Sequence, residues 1–284
     1  MPVHKSKISL NSRCDFRNNI NFTTMVKKII LFIGLAVIAF FIYCIYLFQA
    51  SVNLDELNFV HRAAAKSVFD SWDGYLVSIP KERSAIIDYD TLMNQLNFLE
   101  RNFAERIFQI NPREIGFKGP EYSKEKPGKL VKVESVKVGD RETGIQYCPE
   151  HSYNDYLLMM ERIRKDIGKQ LFIDSGYRSP GKQAYLFFYY LTTSSEYSLK
   201  ENAKWIAMPG YSEHGNPTNN AIDFTSENGI NGFSDNQTAK DFEALPEFDW
   251  LMKNANQFNF YLSYPKDNPF GVAFEPWHWH WEKK

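Results

Sequence analysis

Cysteine is scarce in this sequence, with 3 among 284 residues. Cys14 and Cys44 lie before or within the one long apolar run, and only Cys148 follows that run. One thiol cannot close a disulfide, so a disulfide scaffold is excluded for the part of the chain after the run. That part must be stabilised by a hydrophobic core and by any metal it binds. We expect Cys148 to be a half-buried thiol rather than a metal ligand.

An excess of charge of one sign is also lacking. The chain has 33 Lys and Arg against 34 Asp and Glu, a net charge of −1. No strong field is available to attract a polyanion, so we expect no nucleic-acid partner. There is no internal repeat or long low-complexity tract, and 44% hydrophobic content is ordinary for a globular protein. The length allows one or two domains and leaves the oligomeric state open.

One segment does not have a globular composition. Residues 29–48 are apolar without a single charge, and 20 helical residues span about 30 Å, the thickness of a bilayer core. Basic residues precede this run, whereas Asp55 and Glu56 follow it. The positive-inside rule predicts a cytoplasmic N-terminus (1–28), a transmembrane anchor (29–48) and an extracytoplasmic remainder, on the periplasm or cell-wall side.

A cleaved signal peptide is the alternative to this anchor. Its apolar region would be about 7–15 residues long and would end in a small-x-small site. Here Phe48-Gln49-Ala50 places Phe where a small residue is needed. We therefore favour an uncleaved anchor in the cell membrane.

The pattern after the anchor predicts an α+β fold. Residues 51–128 form a helical membrane-proximal segment, in which Leu92, Leu96, Leu99, Phe103 and Ile107 share one apolar face. This segment either packs on the following part or acts as a stalk. Residues 111–128 are rich in Pro, Gly and charge and predict a loop. Residues 130–138 alternate as a half-exposed strand that ends in a Gly139-Asp140 turn.

Residues 129–284 are predicted to form a second domain, a small antiparallel sheet flanked by helices. A helix over 153–167 closes at Gly168, and another begins near Pro180. The remaining predicted elements are strands at 171–173, 220–224, 260–264 and 272–281, with a helix over 246–258.

Three short motifs in this part carry chemistry. They are Ser212-Glu213-His214, Ala221-Ile222-Asp223 and Glu275-Pro276-Trp277-His278. Two imidazoles and one carboxylate form a set that holds Zn²⁺ and leaves one position open for water. A second carboxylate, three residues before the last imidazole, could take the proton of that water. Such a site hydrolyses amide bonds without a nucleophilic side chain. The sequence has no Gly-x-Ser-x-Gly motif, so it gives no support to a catalytic Ser/His/Asp triad.

In the last predicted strand, the alternation of side chains explains the position of His278 but not that of Glu275. With a period of two, Trp277, Trp279 and Trp281 share one face, and His278 and His280 share the other. Glu275 would point away from His278 in a regular strand. Because Pro276 lies between the two, we expect a local distortion that brings both to one cavity. His280 is expected to line the cavity rather than bind the metal.

Residues 145–281 resemble the D-alanyl-D-alanine carboxypeptidase family of the vancomycin-resistance type, zinc peptidases related to lysostaphin-like enzymes and to the hedgehog domain. The shared pattern is Ser-x-His, Gly, Ala-x-Asp and then Glu-x-x-His, preceded by Ser175-Gly176-Tyr177-Arg178-Ser179. The resemblance implies that the Zn²⁺ ligands are His214, Asp223 and His278. It implies that Glu275 is the general base and that Arg178 binds the substrate or its oxyanion. Tyr177, Gln183 and Ser212 are the expected substrate-binding residues.

The spacing departs from the family pattern at one place. Residues 215–220 separate His214 from Ala221, two residues more than usual. We expect the insertion to form a small loop that leaves the ligands together, since ligands converge in space rather than in sequence.

The resemblance implies a membrane-anchored zinc carboxypeptidase that removes the C-terminal D-alanine from peptidoglycan stem peptides. Two alternatives stay within the same fold, an endopeptidase that cuts cross-links and an LD-carboxypeptidase. A third is a wall-binding module without catalysis. Glu275 argues against the third, because a site without turnover does not need that base.

Overall fold

The computed structural model describes residues 14–122, 125–234 and 236–284. Residues 1–13 of the predicted cytoplasmic N-terminus thus lie outside the described residues. The chain divides into two compact units, of which the first ends at Ser51 and the second runs from Val52 to Lys284. The boundary predicted between residues 128 and 129 stays a prediction.

The first unit is one long helix, α1, over Cys14–Gln49. Its stretch Thr24–Gln49 has a mean hydropathy of 2.8 and is long and apolar enough to cross a membrane. The length and composition agree with the predicted span of 29–48. The direction of crossing stays a prediction.

The second unit begins with four helices. They are α2 (Phe59–Ser78), α3 (Lys81–Ala85), α4 (Tyr89–Met93) and α5 (Phe98–Phe108). The helical character predicted for this segment is confirmed, but the single apolar face from Leu92 to Ile107 is wrong. Asn97 and Glu100 form a capping box that starts a new helix, and this break turns Leu99 outward, where it is 59% exposed.

The helical segment packs on the C-terminal part of the unit and is not a separate stalk. Its longest helix, α2, contacts α7 (Pro180–Thr193). Trp72 of α2 and Phe188 of α7 meet edge to face with ring centroids 5.3 Å apart. Both side chains are fully buried, so this contact belongs to the core.

A short 3-10 helix, Pro112–Ile115, begins the loop predicted over 111–128. The strand predicted over 130–138 is wrong as one piece. β1 (Leu130–Val133) pairs with β4 (Gln146–Pro149), whereas β2 (Lys137–Val138) pairs with β3 (Arg141–Glu142). The break arises at Val136, whose N–H donates to Thr143 Oγ1 at 3.1 Å instead of joining the β1 ladder. The turn at Gly139 is confirmed, with φ at +56°.

The main sheet is antiparallel with the strand order β5-β6-β8-β7. Its strands are β5 (Leu171–Ser175), β6 (Ala221–Ser226), β7 (Phe260–Leu262) and β8 (His278–Trp281). The helices around it are α6 (Glu150–Ile167), α7, α8 (Leu199–Asn202), α9 (Ala239–Glu243) and α10 (Pro246–Asn254). Short 3-10 helices cover Glu213–Gly215 and Ala255–Phe258. This arrangement confirms the α+β class.

Several predicted boundaries are confirmed and others shift. Gly168 closes α6 in the left-handed region, with φ at +66°, and Pro180 is the first residue of α7 after the N-cap Ser179. The helix predicted over 246–258 ends at Asn254 and continues as a 3-10 turn. The strand predicted over 272–281 is wrong before His278. Residues 276 and 277 form a turn there, in which the His278 N–H donates to the Glu275 carbonyl at 3.1 Å.

Candidate functional site

Three potential metal ligands converge on one side of the main sheet. They are His214, Asp223 and His278, each of which offers a ligand atom within 4.8 Å of the others. Asp223 lies on β6 and is the cross-strand partner of His278 on β8. His214 lies in the 3-10 turn before β6. All three are buried, at most 4% exposed.

The orientation of His214 leaves one nitrogen facing the other ligands. Its Nδ1 lies 2.8 Å from the Gly176 carbonyl, so Nδ1 carries the hydrogen and donates it. Its Nε2 therefore holds a lone pair, has no hydrogen-bond partner, and lies 3.1 Å from Asp223 Oδ2. Two electron-pair donors that face each other in a buried place suit a cation that both can bind. Burial accordingly lowers the pKa of His214 to about 4.

His278 is held at both ring nitrogens. Nδ1 lies 2.9 Å from Asp223 Oδ1, and Nε2 lies 2.9 Å from Glu213 Oε2. Burial alone would lower the pKa of His278, but the hydrogen bonds to these two carboxylates outweigh burial and raise the pKa to about 10. The carboxylates at the site therefore favour positive charge at this position.

The insertion between His214 and Asp223 forms a loop of its own. Asn216 Oδ1 accepts from the N–H groups of Thr218 and Asn219, at 3.0 and 3.2 Å. His151, on α6, contacts the Thr218 carbonyl at 3.0 Å. The segment thus closes in a local turn, and His214 Nε2 lies 3.1 Å from Asp223 Oδ2.

Glu275 reaches the same cavity from the turn that precedes β8. Its Oε2 lies 3.6 Å from His278 Nδ1, and the residue is 6% exposed. The turn at Pro276 removes the strand alternation that would have pointed the two side chains apart. Burial raises the pKa of Glu275 to about 8, which places its proton exchange near neutral pH.

Arg178 is the cation of the site. Its Nη2 donates to Asp223 Oδ2 at 2.7 Å, and its Nε donates to Ser175 Oγ at 2.8 Å. The neighbouring carboxylates have other partners, since Asp174 pairs with Arg141 and Asp166 with Arg162. Its remaining N–H groups are available to a ligand in the groove.

The site opens into a groove of about 800 Å³. The expected substrate-binding residues Tyr177, Gln183 and Ser212 all line it, together with Arg178 and Glu275. Gln183 is 2% exposed and donates from Nε2 to the Ala207 carbonyl at 2.7 Å, while its Oε1 is buried without a partner. An orphaned buried acceptor beside a groove suits a ligand N–H.

Lys81 and Ser84 of α3 also line the groove. The helical segment therefore forms part of the wall, a contribution that the sequence patterns did not indicate. Such a contribution depends on the packing of α2 and α4 against α7, which no local motif records.

His280 and Glu213 complete the surroundings. His280 is half-buried, and its Nδ1 lies 2.8 Å from Ser263 Oγ, which places it beside the ligand set and outside it. Glu213 was not among the predicted site residues. Its partner His278 is remote in sequence, so the only signal was an acidic residue beside a candidate ligand.

The residues present fit a divalent cation. Two buried carboxylates, Asp223 and Glu275, and Glu213, whose side chain is 11% exposed, lie around His278, while Arg178 pairs with Asp223. Two imidazoles and one carboxylate are a common donor set for Zn²⁺. The unpartnered Nε2 of His214 is a ligand atom already turned toward the others.

Comparisons with known proteins place this site in a family. Residues 149–284 match the family described as VanY, D-alanyl-D-alanine carboxypeptidase. YodJ of Bacillus subtilis (strain 168), named as a proposed carboxypeptidase, is 33% identical over 126 residues. That alignment covers 44% of this chain and 42% of YodJ, so the chain spans less than half the length of this relative.

Solved structures give weaker likenesses. VanYB in complex with D-alanine-D-alanine is 23% identical with a TM-score of 0.38, over 57% of this chain and 83% of that one. The LD-carboxypeptidase LdcB is 19% identical with a TM-score of 0.34, over 54% and 84%. The sequence match alone, which contains His214, Asp223, Glu275 and His278, shows that residues 149–284 belong to the VanY family of D-alanyl-D-alanine carboxypeptidases.

Proposed function

We propose that this protein is a membrane-anchored zinc carboxypeptidase that removes the C-terminal D-alanine from peptidoglycan stem peptides. One observation carries the proposal. Glu275 Oε2 lies 3.6 Å from His278 Nδ1, beside three convergent ligand groups at the wall of a groove. An acid–base carboxylate next to an electron-rich ligand set is what peptide hydrolysis at a metal requires.

His214, Asp223 and His278 would hold the metal. Zinc, when bound, supplies a Lewis acid that activates water and polarises a carbonyl. Glu275 accepts the proton of the attacking water at a carboxylate oxygen and later gives it to the leaving amine. Burial raises the pKa of Glu275 above its ordinary value, which makes its carboxylate a stronger proton acceptor.

Arg178 would bind the negative charge of the substrate. Ser175 and Asp223 fix the guanidinium from two directions, so its plane is oriented before a ligand arrives. A planar fork is suited to a terminal carboxylate or to a developing oxyanion. Gln183 Oε1, without a partner, would accept an N–H of the peptide.

The choice of a stem peptide rests on the family match. A location outside the cytoplasm would bring the groove to the cell wall. The apolar stretch Thr24–Gln49, with Lys27 and Lys28 near its start, supports this location.

Mass spectrometry of stem peptides incubated with the full-length protein in mild detergent and zinc tests the proposal. A pentapeptide ending in D-Ala-D-Ala should lose one alanine, and a chelator should stop the reaction. If only a tetrapeptide loses alanine and the pentapeptide stays intact, the protein is an LD-carboxypeptidase rather than a D-alanyl-D-alanine carboxypeptidase. Cleavage of cross-linked dimers alone would indicate an endopeptidase. Intact substrates with a zinc-loaded protein would contradict a catalytic function.

A further inference from the structure

We propose that Glu213 is a positioning residue, which fixes the ring of His278, and that Tyr122 holds Glu213 in turn. The inference rests on the proposed function only in that His278 is taken as a metal ligand. It concerns the residues that orient this ligand. One of them, Tyr122, precedes residue 149, where the family match begins.

The two nitrogens of His278 face different surroundings. Nδ1 faces Asp223 Oδ1 at 2.9 Å and Glu275 Oε2 at 3.6 Å, so it is the nitrogen on the side of the ligand set. Nε2 faces Glu213 Oε2 at 2.9 Å. A ligating imidazole must carry its hydrogen on the other nitrogen, and a carboxylate that accepts this hydrogen fixes both tautomer and ring angle.

Glu213 is itself restrained. It lies in the 3-10 turn Glu213–Gly215 next to His214, and its side chain is 11% exposed. Its Oε2 contacts His278, while Oε1 accepts from the Tyr122 hydroxyl at 3.2 Å. One carboxylate thus links the turn that carries the first imidazole to the strand that carries the second.

The segment that carries Tyr122 is attached on both sides of the site. The Tyr122 N–H donates to the Gly210 carbonyl at 2.8 Å, just before Ser212. The Lys118 N–H donates to the Phe270 carbonyl at 2.7 Å, in the loop before Glu275. The segment is therefore in place to hold Glu213 against His278, although it contributes no metal ligand.

Zinc affinity measured by competition with a chelating dye tests this role without using activity. The full-length protein in mild detergent is compared with Glu213→Ala, Glu213→Gln and Tyr122→Phe. We expect Glu213→Ala to bind zinc about 10–100-fold more weakly, the usual cost of losing a carboxylate behind a ligating histidine. Glu213→Gln should lose less, because its amide oxygen still accepts from Nε2–H. Tyr122→Phe should change in the same direction by a smaller factor.

The matched control is Glu121→Gln, on the same segment as Tyr122. It removes a carboxylate that accepts a hydrogen bond from the Tyr211 hydroxyl at 3.4 Å. It should leave zinc affinity unchanged. The ¹⁵N spectrum of the zinc-loaded protein, labelled at histidine, should show a hydrogen on Nε2 of His278 in the wild type. Circular dichroism identifies a variant that fails to fold. If Glu213→Ala fails, the zinc affinity of the isosteric Glu213→Gln tests the proposal.

Wild-type affinity in both folded Glu213 variants, or a His278 hydrogen on Nδ1, would overturn the proposal. So would a wild-type protein that binds no zinc. By contrast, a wild-type protein that binds zinc but leaves stem peptides intact would refute the carboxypeptidase function and leave this inference standing.

Discussion

Asp223 and His278 are direct cross-strand partners, and Asp223 Oδ1 lies 2.9 Å from His278 Nδ1. The pairing of β6 with β8 therefore fixes the relative position of two of the three potential ligands. A slip of one residue would turn one of them to the other face of the sheet. His214 comes instead from the 3-10 turn Glu213–Gly215, outside the sheet.

The identity of the ligands is tested with two histidines on the same strand. Metal analysis of the full-length wild type, purified in detergent without chelator, should give about one zinc per chain, as expected for a single such site. His278→Ala should lose the metal, because one of three protein ligands is gone. His280→Ala should keep it, because His280 bonds to Ser263 outside the ligand set. The reverse result would exchange the two assignments.

Glu275→Gln should separate metal binding from turnover. The amide keeps the size of the side chain but cannot accept the proton. Zinc content should stay at the wild-type level, while kcat falls by about 10²–10⁴-fold, the usual contribution of a positioned acid–base group. Loss of zinc would show that the carboxylate is a ligand. Unchanged turnover would assign the base to another group.

Arg178→Lys should weaken catalysis although it keeps the charge. A lysine cannot bond to both Ser175 and Asp223 and still present a fork to the substrate. We expect kcat/KM to fall by about 10–100-fold, which corresponds to one charged hydrogen bond of about 1.5–3 kcal/mol. Arg141→Lys is the matched control, because Arg141 bonds to Asp174 and Thr225. An equal loss in both variants would indicate a general effect on stability.

Phe188→Ala should destabilise the whole second unit. The ring is fully buried and meets Trp72, Phe103 and Phe108 edge to face. Truncation should lower the free energy of unfolding by about 3–5 kcal/mol in a urea titration. Phe98→Ala, at a side chain that is 81% exposed, should cost less than about 0.5 kcal/mol. Separate unfolding transitions for the helical segment and the sheet would contradict a shared core.

Cys148 should be inert in the folded protein. The expectation of a half-buried thiol is wrong, because Cys148 is fully buried in the core, and burial raises the pKa of its thiol to about 12. At pH 8 only about one molecule in 10⁴ carries the reactive thiolate. Mass spectrometry should find alkylation of Cys148 only after unfolding. Because the folded state retains the proton above the ordinary thiol pKa of about 8.5, this group makes stability fall as pH rises beyond that value. Rapid alkylation at pH 8 without unfolding would contradict the burial.

Local patterns were sufficient for much of the fold. Pro180 and Gly168 delimit their helices because proline and glycine act through their own backbone restrictions. The apolar stretch of α1 was visible because length and composition alone decide whether a helix can cross a bilayer. Apolar periodicity was not sufficient around Asn97. The repeat from Leu92 to Ile107 predicted one continuous apolar face, but the capping box of Asn97 and Glu100 starts a new helix there.

The sequence by itself predicted the candidate ligands, the family of residues 149–284 and the elements that carry His214, Asp223 and His278. Only the tertiary structure decided the surroundings of these residues. Glu213 lies beside His214 in sequence yet bonds to His278, and Tyr122 reaches Glu213 from another segment. Glu275 faces His278 because of a turn at Pro276. Such contacts depend on how distant elements pack, and hydrogen bonds between groups remote in sequence leave no period or spacing from which to predict them.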